Sequence, residues 1–313
     1  MAALTNNRIE IMVTKKGVLS EVFIVCLLMV TGVFMSCNFN KSVHKDLETG
    51  AYSEGNGIDC KDVLITVNGK LDKRNEFVYG ERVTLVFNDV VGLKKMDSLT
   101  YPGLSMHIVK NGKDTLVAKS NLLEKLKNGI KLSPLQLKTK FKAVLPYKNN
   151  EKYKLYVDIW DKKGDGSFSY ELPFTVKKND VLKIENKGLN YSKAYLYNET
   201  LKEVVNSKKI NSNHVFILVL EQVSGLSQKK GRVFPVFSID VEDNEGRKII
   251  SNKNVLKGYE QQGVEAKKLK VGRLTTRITF SKGKFNNPYK LTAKLFDMNS
   301  SKEINISGDL ILN

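Results

Sequence analysis

Apolar and polar residues alternate along much of the chain beyond residue 60. A period of two is typical of a β-strand with one buried and one wet face, as in antiparallel sheets. Turn signals that contain glycine separate the alternating runs. The clearest runs cover 137–143, 168–176, 274–280 and 304–312. The pattern therefore predicts an all-β fold of short antiparallel strands arranged as sandwiches.

Two parts of the chain repeat each other in sequence. The matching pairs are 83–93 with 216–226, 121–123 with 254–256, 153–161 with 289–297, and 62–64 with 180–182. The first pair shares five of its eleven positions. We predict a tandem duplication, with one β-sandwich domain over 60–177 and its copy over 178–313, which carries an extra stretch near 189–207. Both copies lack a Cys…Trp…Cys pattern, so "immunoglobulin-like" describes only their architecture.

The first forty residues have the pattern of an export signal. Two lysines precede an apolar run over 22–35, which ends at Ser36 and Cys37. A basic start, an apolar stretch and a small residue before the cleavage site are features of a signal peptide. The run of 14 residues is shorter than the roughly 20 that span a bilayer. We predict a signal peptide over 1–36 and a flexible, polar tether over 37–59.

The apolar run ends in a sequence that resembles a bacterial lipobox, Val33-Phe34-Met35-Ser36-Cys37. It is similar to the loose Ser-Cys lipoboxes of Bacteroidetes lipoproteins, and tandem β-sandwiches behind a lipobox are similar to envelope lipoproteins of that group. The resemblance implies lipidation at Cys37 and a permanent membrane anchor. It places the protein at the outer membrane, and the absence of an acidic cluster after Cys37 favours the periplasmic face. The alternatives are an ordinary signal peptide with a chance cysteine, or a short buried helix.

The charge of the chain favours anionic partners. The full chain carries 51 basic and 33 acidic residues, and the stretch 1–36 holds three basic and two acidic ones, so the mature chain has a net charge of +17. For an exported protein, lipopolysaccharide and acidic glycans are the expected polyanions, and we expect no nucleic acid partner. The lysines are scattered, which also fits an ordinary solvated surface.

Few residues have the spacing that catalysis or metal binding requires. His44, His107 and His214 have no nucleophile or paired carboxylate at a suitable spacing, so we expect no enzyme, no cofactor and no metal site. The stretch 161–166 faintly resembles a calcium loop, but a hairpin turn explains it. Cys60 is expected to be an unpaired bystander.

One group of residues suggests a binding face. If Leu155 and its alternating neighbours point inward, the lysines and aromatic residues between them point outward, next to a lysine-rich strand. The candidate face for a glycan or another anion consists of Lys138, Lys140, Lys142, Lys154, Tyr156 and Trp160. Aromatic rings stack on sugars, and lysines bind carboxylates or phosphates. The alternative is packing, because Phe296 matches Trp160 in the second copy.

Two further positions are candidates for modification, and together these features suggest a function. Ser98 and Thr115 each follow an aspartate and precede a leucine, which resembles the O-glycan acceptor motif of exported Bacteroidetes proteins.

We expect a non-catalytic binding or scaffolding lipoprotein in an envelope protein assembly. The alternatives are a lipoprotein that binds glycan or lipopolysaccharide and, less favoured, an enzyme.

Overall fold

A computed structural model describes residues 41–147, 150–281 and 285–313 of the protein. The predicted signal peptide and Cys37 lie outside the described residues. The fold is nearly all β, with several antiparallel sheets, which confirms the predicted class. Within the described part of the chain, no helix is both long enough and apolar enough to cross a membrane.

Over the residues that the structure describes, the first half of the chain contains eleven strands. They are β1 (Lys41–Lys45), β2 (Tyr52–Asn56), β3 (Asp62–Val67), β4 (Lys70–Leu71), β5 (Glu76–Val78), β6 (Arg82–Asn88), β7 (Pro102–Lys110), β8 (Asp114–Lys119), β9 (Leu137–Lys142), β10 (Lys152–Asp161) and β11 (Ser167–Lys177). The large sheet of this half has the order β1-β2-β11-β10-β7-β8, with β5 parallel to the end of β11. The small sheet has the order β4-β3-β6-β9. Inward side chains of both sheets form one buried cluster, which includes Phe77, Leu85 and Leu155.

Among its described residues, the second half contains a 3₁₀ helix over Lys257–Tyr259, twelve strands and one short α-helix. They are β12 (Lys183–Lys187), β13 (Lys193–Asn198), β14 (Glu203–Val204), β15 (Lys209–Ile210), β16 (Phe216–Glu221), β17 (Arg232–Val233), β18 (Pro235–Glu242), β19 (Lys248–Asn252), β20 (Val264–Glu265), α1 (Ala266–Val271), β21 (Arg273–Ile278), β22 (Tyr289–Asp297) and β23 (Glu303–Leu312). The large sheet has the order β12-β23-β22-β18-β19, with β15 parallel to the end of β23, and the small sheet has the order β14-β13-β16-β21. A second buried cluster lies between these sheets.

Strand pairing in the first half recurs in the second. Pro102 lies opposite Asp161 as Pro235 lies opposite Asp297. Each large sheet has a register shift at the same place, between 108 and 109 and between 241 and 242. The sequence match of 83–93 with 216–226 places β6 on β16, and both strands are central in their small sheets. The two halves therefore resemble each other in the register of their strand pairs as well as in the order of their strands.

The beginning of the first half differs from the prediction. Residues 41–45 and 52–56 form β1 and β2, and β2 pairs with β11, so the prediction of a flexible tether is wrong for this stretch. The sequence of β2, Tyr-Ser-Glu-Gly-Asn, shows no apolar alternation. Main-chain hydrogen bonds to β11 and β1 hold the strand in place instead.

Two details of the predicted repeat are also wrong. The strand that pairs with β23 as β2 pairs with β11 is β12, so the first copy begins before residue 60. The stretch 189–207 is not an addition, because it contains β13 and β14, which pair like β3 and β4. It follows that 62–64 and 180–182 are not equivalent. A three-residue identity was too short to set the register.

The two halves meet at a packed junction. Asn179 is buried, and its side-chain amide donates hydrogen bonds to the main-chain oxygens of Tyr79 and Val205 at 3.1 and 3.2 Å. Arg82 pairs with Glu203 at 2.6 Å. The junction therefore holds residues of both halves through hydrogen bonds and an ion pair.

Candidate functional site

The six residues of the predicted glycan or anion face lie on two different sheets. Lys138, Lys140 and Lys142 are on β9 in the small sheet, whereas Lys154, Tyr156 and Trp160 are on β10 in the large sheet. Both sheets turn their inner faces to the same buried cluster, so their outer faces point in opposite directions. The prediction of one shared face is therefore wrong. Strands β9 and β10 follow each other in the chain, but the connection between them crosses from one sheet to the other.

The outer face of the first large sheet carries aromatic and acidic side chains that lie in rows across neighbouring strands. We call it the aromatic face, and it consists of Tyr52, Glu54, Asn56, Gly103, Ser105, His107, Lys154, Tyr156, Asp158, Trp160, Ser167, Ser169 and Glu171. Leu155, Val157 and Ile159 are buried on the opposite side of β10, as the alternation predicts. The aromatic face therefore points away from the core.

Trp160 is the largest side chain of the aromatic face, and its ring lies across a glycine. Gly103 is directly opposite Trp160 on β7. A Cβ atom at Gly103 would lie 1.9 Å from Cε2, 2.3 Å from Cζ2 and 2.4 Å from Cδ2 of the indole. The proximity of three ring atoms shows that one face of the indole covers the glycine main chain. A glycine inside a strand often marks such a close approach.

Beside Trp160 lies a shallow depression of about 290 Å³. Its polar lining comes from four strands, β1, β2, β10 and β11, and consists of Lys41, Glu54, Asn56, Asp158, Ser167 and Ser169. The Ser105 hydroxyl donates a hydrogen bond to Asp158 Oδ2 at 2.9 Å, which orients that carboxylate. The depression thus combines an aromatic ring with two carboxylates, an amide, two hydroxyls and one lysine.

A second group on the aromatic face is closed by its own contacts. The rings of His107 and Tyr156 are stacked, with centroids 4.6 Å apart and an angle of 8° between their planes. Lys154 Nζ lies 2.9 Å from Glu171 Oε2 and 5.5 Å from the centre of the Tyr156 ring. The hydrogen bond to Glu171 raises the pKa of Lys154, so the lysine is charged. This lysine is already paired, and it is not a free anion ligand.

Asp161 of the suspected calcium loop has a structural role. Its carboxylate accepts hydrogen bonds from the main-chain N–H groups of Lys94 at 2.6 Å and Lys163 at 2.9 Å. Asp297 occupies the same place in the second half and accepts from Ser227 and Asn299. Across the described parts of the chain, no group of three or more acidic, histidine or cysteine side chains could hold a metal ion. These aspartates tie the end of β10 or β22 to a neighbouring loop.

The other residues singled out in the sequence do not belong to the aromatic face. His44 is on the edge strand β1, and His214 Nδ1 lies 3.0 Å from Asn198 Nδ2. Burial, assisted by Asp59 and Asp62, raises the pKa of Cys60 to about 12, so this thiol stays protonated and is a poor nucleophile. Ser98, in a tight turn, and Thr115, on the edge strand β8, are both exposed.

Several residues in and beside the depression were not predicted from the sequence. Glu54 and Asn56 fell within the predicted tether, and Asp158 and Gly103 drew no attention. One available signal was Gly103 itself, because a lone glycine inside an alternating run marks a bulge or a close approach. Its partner across the sheet could not be identified without the register.

Comparisons with known proteins show little similarity. No family model matches the chain, and no curated protein matches it either. Among solved structures, one described as "pT26-6p" is similar at 7% identity with a TM-score of 0.25, over 87% of this chain and 65% of that one. The chain therefore spans less than two thirds of that structure. Another is the structure of three N-terminal domains of the bacteriophage RB49 Highly Immunogenic Outer Capsid protein, at 10% identity and a TM-score of 0.19, over 85% of this chain and 78% of that one.

Proposed function

We propose that the protein is a lipid-anchored, non-catalytic binding module of the bacterial cell envelope, and that it binds through the aromatic face. The observation that carries this proposal is the indole of Trp160, which lies flat on Gly103 beside an open polar depression. A tryptophan at the sheet surface contributes little to the core. A large amphipathic ring beside hydrogen-bonding groups is typical of binding sites.

The scaffold of this module is proposed to be two immunoglobulin-like sandwiches in tandem. In the first half, the small sheet joins β3, β6 and β9, and the large sheet joins β11, β10, β7 and β8, which is the division of strands expected for that fold. A hydrogen bond at the start of β10 also supports it. The Tyr153 hydroxyl donates to the main-chain oxygen of Pro146 at 2.6 Å, as in the tyrosine corner of such domains.

The anchor is proposed at Cys37, with the protein at the outer membrane, on its periplasmic face. Lys41, the first residue of β1, is four positions after Cys37. A chain of that length spans at most about 14 Å. Because Lys41 also lines the depression, the anchor would hold the binding face close to the membrane surface.

The anchor is tested by Cys37→Ala. We expect this variant to appear in soluble fractions and to lose acyl labelling, because acyl chains supply the membrane affinity. The measurement is fractionation of cells grown with a labelled fatty acid. Unchanged labelling and membrane association would contradict the proposed anchor.

Binding through the aromatic face is tested by Trp160→Ala. We expect the purified variant to associate with isolated envelope fractions about tenfold less than the wild type, because a central aromatic anchor carries much of the energy of an interface. Phe296→Ala is the matched control, since Phe296 holds the equivalent place in the second half, and it should bind like the wild type. Equal loss in both variants, or in neither, would argue against the aromatic face.

A further inference from the structure

We infer that the depression beside Trp160 binds a neutral saccharide. The inference rests on the proposed function and names the class of ligand for the aromatic face. It differs from the expectation that the basic charge of the chain selects acidic glycans.

The indole provides a platform for one face of a sugar ring. One side of the ring covers Gly103, so the other side faces away from the sheet. The C–H groups on the apolar face of a pyranose carry partial positive charge, and the face of an aromatic ring carries partial negative charge. The two surfaces attract each other, and both are flat. The depression of about 290 Å³ lies at the lower end of the range for small-molecule sites, roughly 300–1,000 Å³.

The polar lining suits the hydroxyl groups at the edge of a sugar ring. Glu54 and Asp158 can accept hydrogen bonds from hydroxyls, and Asn56 can both donate and accept. Asp158 is already oriented by Ser105. A carboxylate accepts from two adjacent hydroxyls without a change of its own protonation state. Saccharides are the common ligands that present adjacent hydroxyls next to an apolar ring face.

Local charge argues for a neutral ligand. The depression carries two carboxylates, those of Glu54 and Asp158, and one ammonium group, that of Lys41. The chain as a whole carries +18, but the lysines of β9 lie on the opposite side of the molecule. A phosphate or uronate placed beside Trp160 would approach two carboxylates at short range, where repulsion outweighs long-range attraction to distant lysines.

The second half has the same strands but different side chains at the equivalent place. Val236 replaces Gly103, and Phe296 replaces Trp160. Lys294 takes the place of Asp158 and pairs with Glu303 at 2.6 Å. The fold therefore does not require the arrangement around Trp160, and selection for a ligand explains it.

Trp160 also provides the measurement, because it is the only tryptophan in the chain. The purified full chain in detergent would be titrated with cellohexaose, xylohexaose and mannohexaose while tryptophan emission is recorded. We expect at least one of these probes to shift the emission, with a dissociation constant on the order of 0.1 mM, as suits a shallow site. Raising the salt from about 50 to 200 mM should leave the affinity within about twofold, because no ion pair is formed with a neutral sugar.

Two variants separate the site from the fold. Gly103→Val introduces the residue found at the equivalent position of the second half, and its Cβ would displace the indole. We expect calorimetry to show sugar binding about tenfold weaker or lost in Gly103→Val and in Trp160→Ala, with far-UV circular dichroism unchanged. The controls are Phe296→Ala and the triple variant Lys138→Ala, Lys140→Ala and Lys142→Ala, which should bind the sugar as the wild type does.

Two results would overturn the inference. One is the absence of an emission change with all three neutral hexasaccharides at about 10 mM. The other is salt-sensitive binding of polygalacturonate or lipopolysaccharide that the triple lysine variant abolishes and Trp160→Ala leaves intact. If Trp160→Ala reduces envelope association while no saccharide binds, the aromatic face remains a binding face and only the saccharide assignment fails.

Discussion

The two halves of the chain agree in their interiors and differ on the outer faces of their large sheets. Strand registers, register shifts and the buried aspartate at the end of β10 and β22 recur. On the outer faces, the first half has Trp160 beside a polar depression, whereas the equivalent positions of the second half hold Phe296 and ion pairs such as Lys294–Glu303. What recurs serves the fold, and what differs is free to serve function.

One cross-strand row shows the contrast most clearly. In the first half it runs from Asn56 through Ser167 and Trp160 to Gly103. The same row of the second half runs from Lys187 through Glu303 and Phe296 to Val236. Each half has one aromatic residue in the row, but only Trp160 has a glycine beneath it. The aromatic residue alone does not define a site, and its neighbour decides how the ring lies.

The largest expected effect concerns the shared interior. Asp297→Ala should lower the free energy of unfolding by about 3 kcal/mol, because it removes a buried carboxylate and leaves the partly buried N–H donors of Ser227 and Asn299 without their acceptor. Asp161→Ala should cost a similar amount, because Lys94 and Lys163 lose the same partner. Urea denaturation measures both. A large loss in one variant and none in the other would show that the aspartates are not equivalent.

Lowering the pH should reduce the stability of the second half, because Asp297 becomes protonated. Burial alone would raise the pKa of Asp297, but hydrogen bonds from Ser300, Ser227 and Asn299 outweigh it and lower the pKa. Because the pKa is lower in the folded state, the ionised carboxylate contributes its full stabilisation at pH values above the pKa of the unfolded state, which is about 4. That contribution disappears as the pH falls through the lowered folded value.

The corresponding experiment compares Asp297→Asn with the wild type. We expect the difference in their free energies of unfolding to be greatest near pH 7 and to narrow as the pH approaches about 3. Denaturation curves at several pH values supply the measurement. Parallel pH profiles for the two proteins would be inconsistent with a carboxylate that is held ionised.

The smallest expected effect is a difference in stability between variants of the two tyrosines at the starts of β10 and β22. Burial raises the pKa of Tyr153 to about 12, so its hydroxyl stays a donor to Pro146. In the second half, Tyr289 instead accepts a longer hydrogen bond of 3.4 Å from the main chain of Asn286. Tyr153→Phe should therefore cost about 1 kcal/mol and Tyr289→Phe less. Equal losses in thermal or urea denaturation would contradict this difference.

The sequence by itself determined the all-β class and the sides on which several strands are buried. Alternation over 168–176 identified β11, and the match of 83–93 with 216–226 placed β6 on β16, because a buried face imposes its period of two on the sequence. Leu155 and its alternating neighbours were correctly placed in the core for the same reason. The sequence therefore predicts which side chains of a strand face the core wherever one side of that strand is buried.

Only the tertiary structure decided which strands are neighbours. Strands β9 and β10 are adjacent in the chain yet lie on opposite sheets, and β2 is a strand through main-chain pairing that leaves no apolar signal. The contact of Trp160 with Gly103 joins residues 57 positions apart through the register of β7 and β10. Alternation records which side of a strand is buried, but it carries no information about the strand beside it, and the depression is built from residues that meet only across strands.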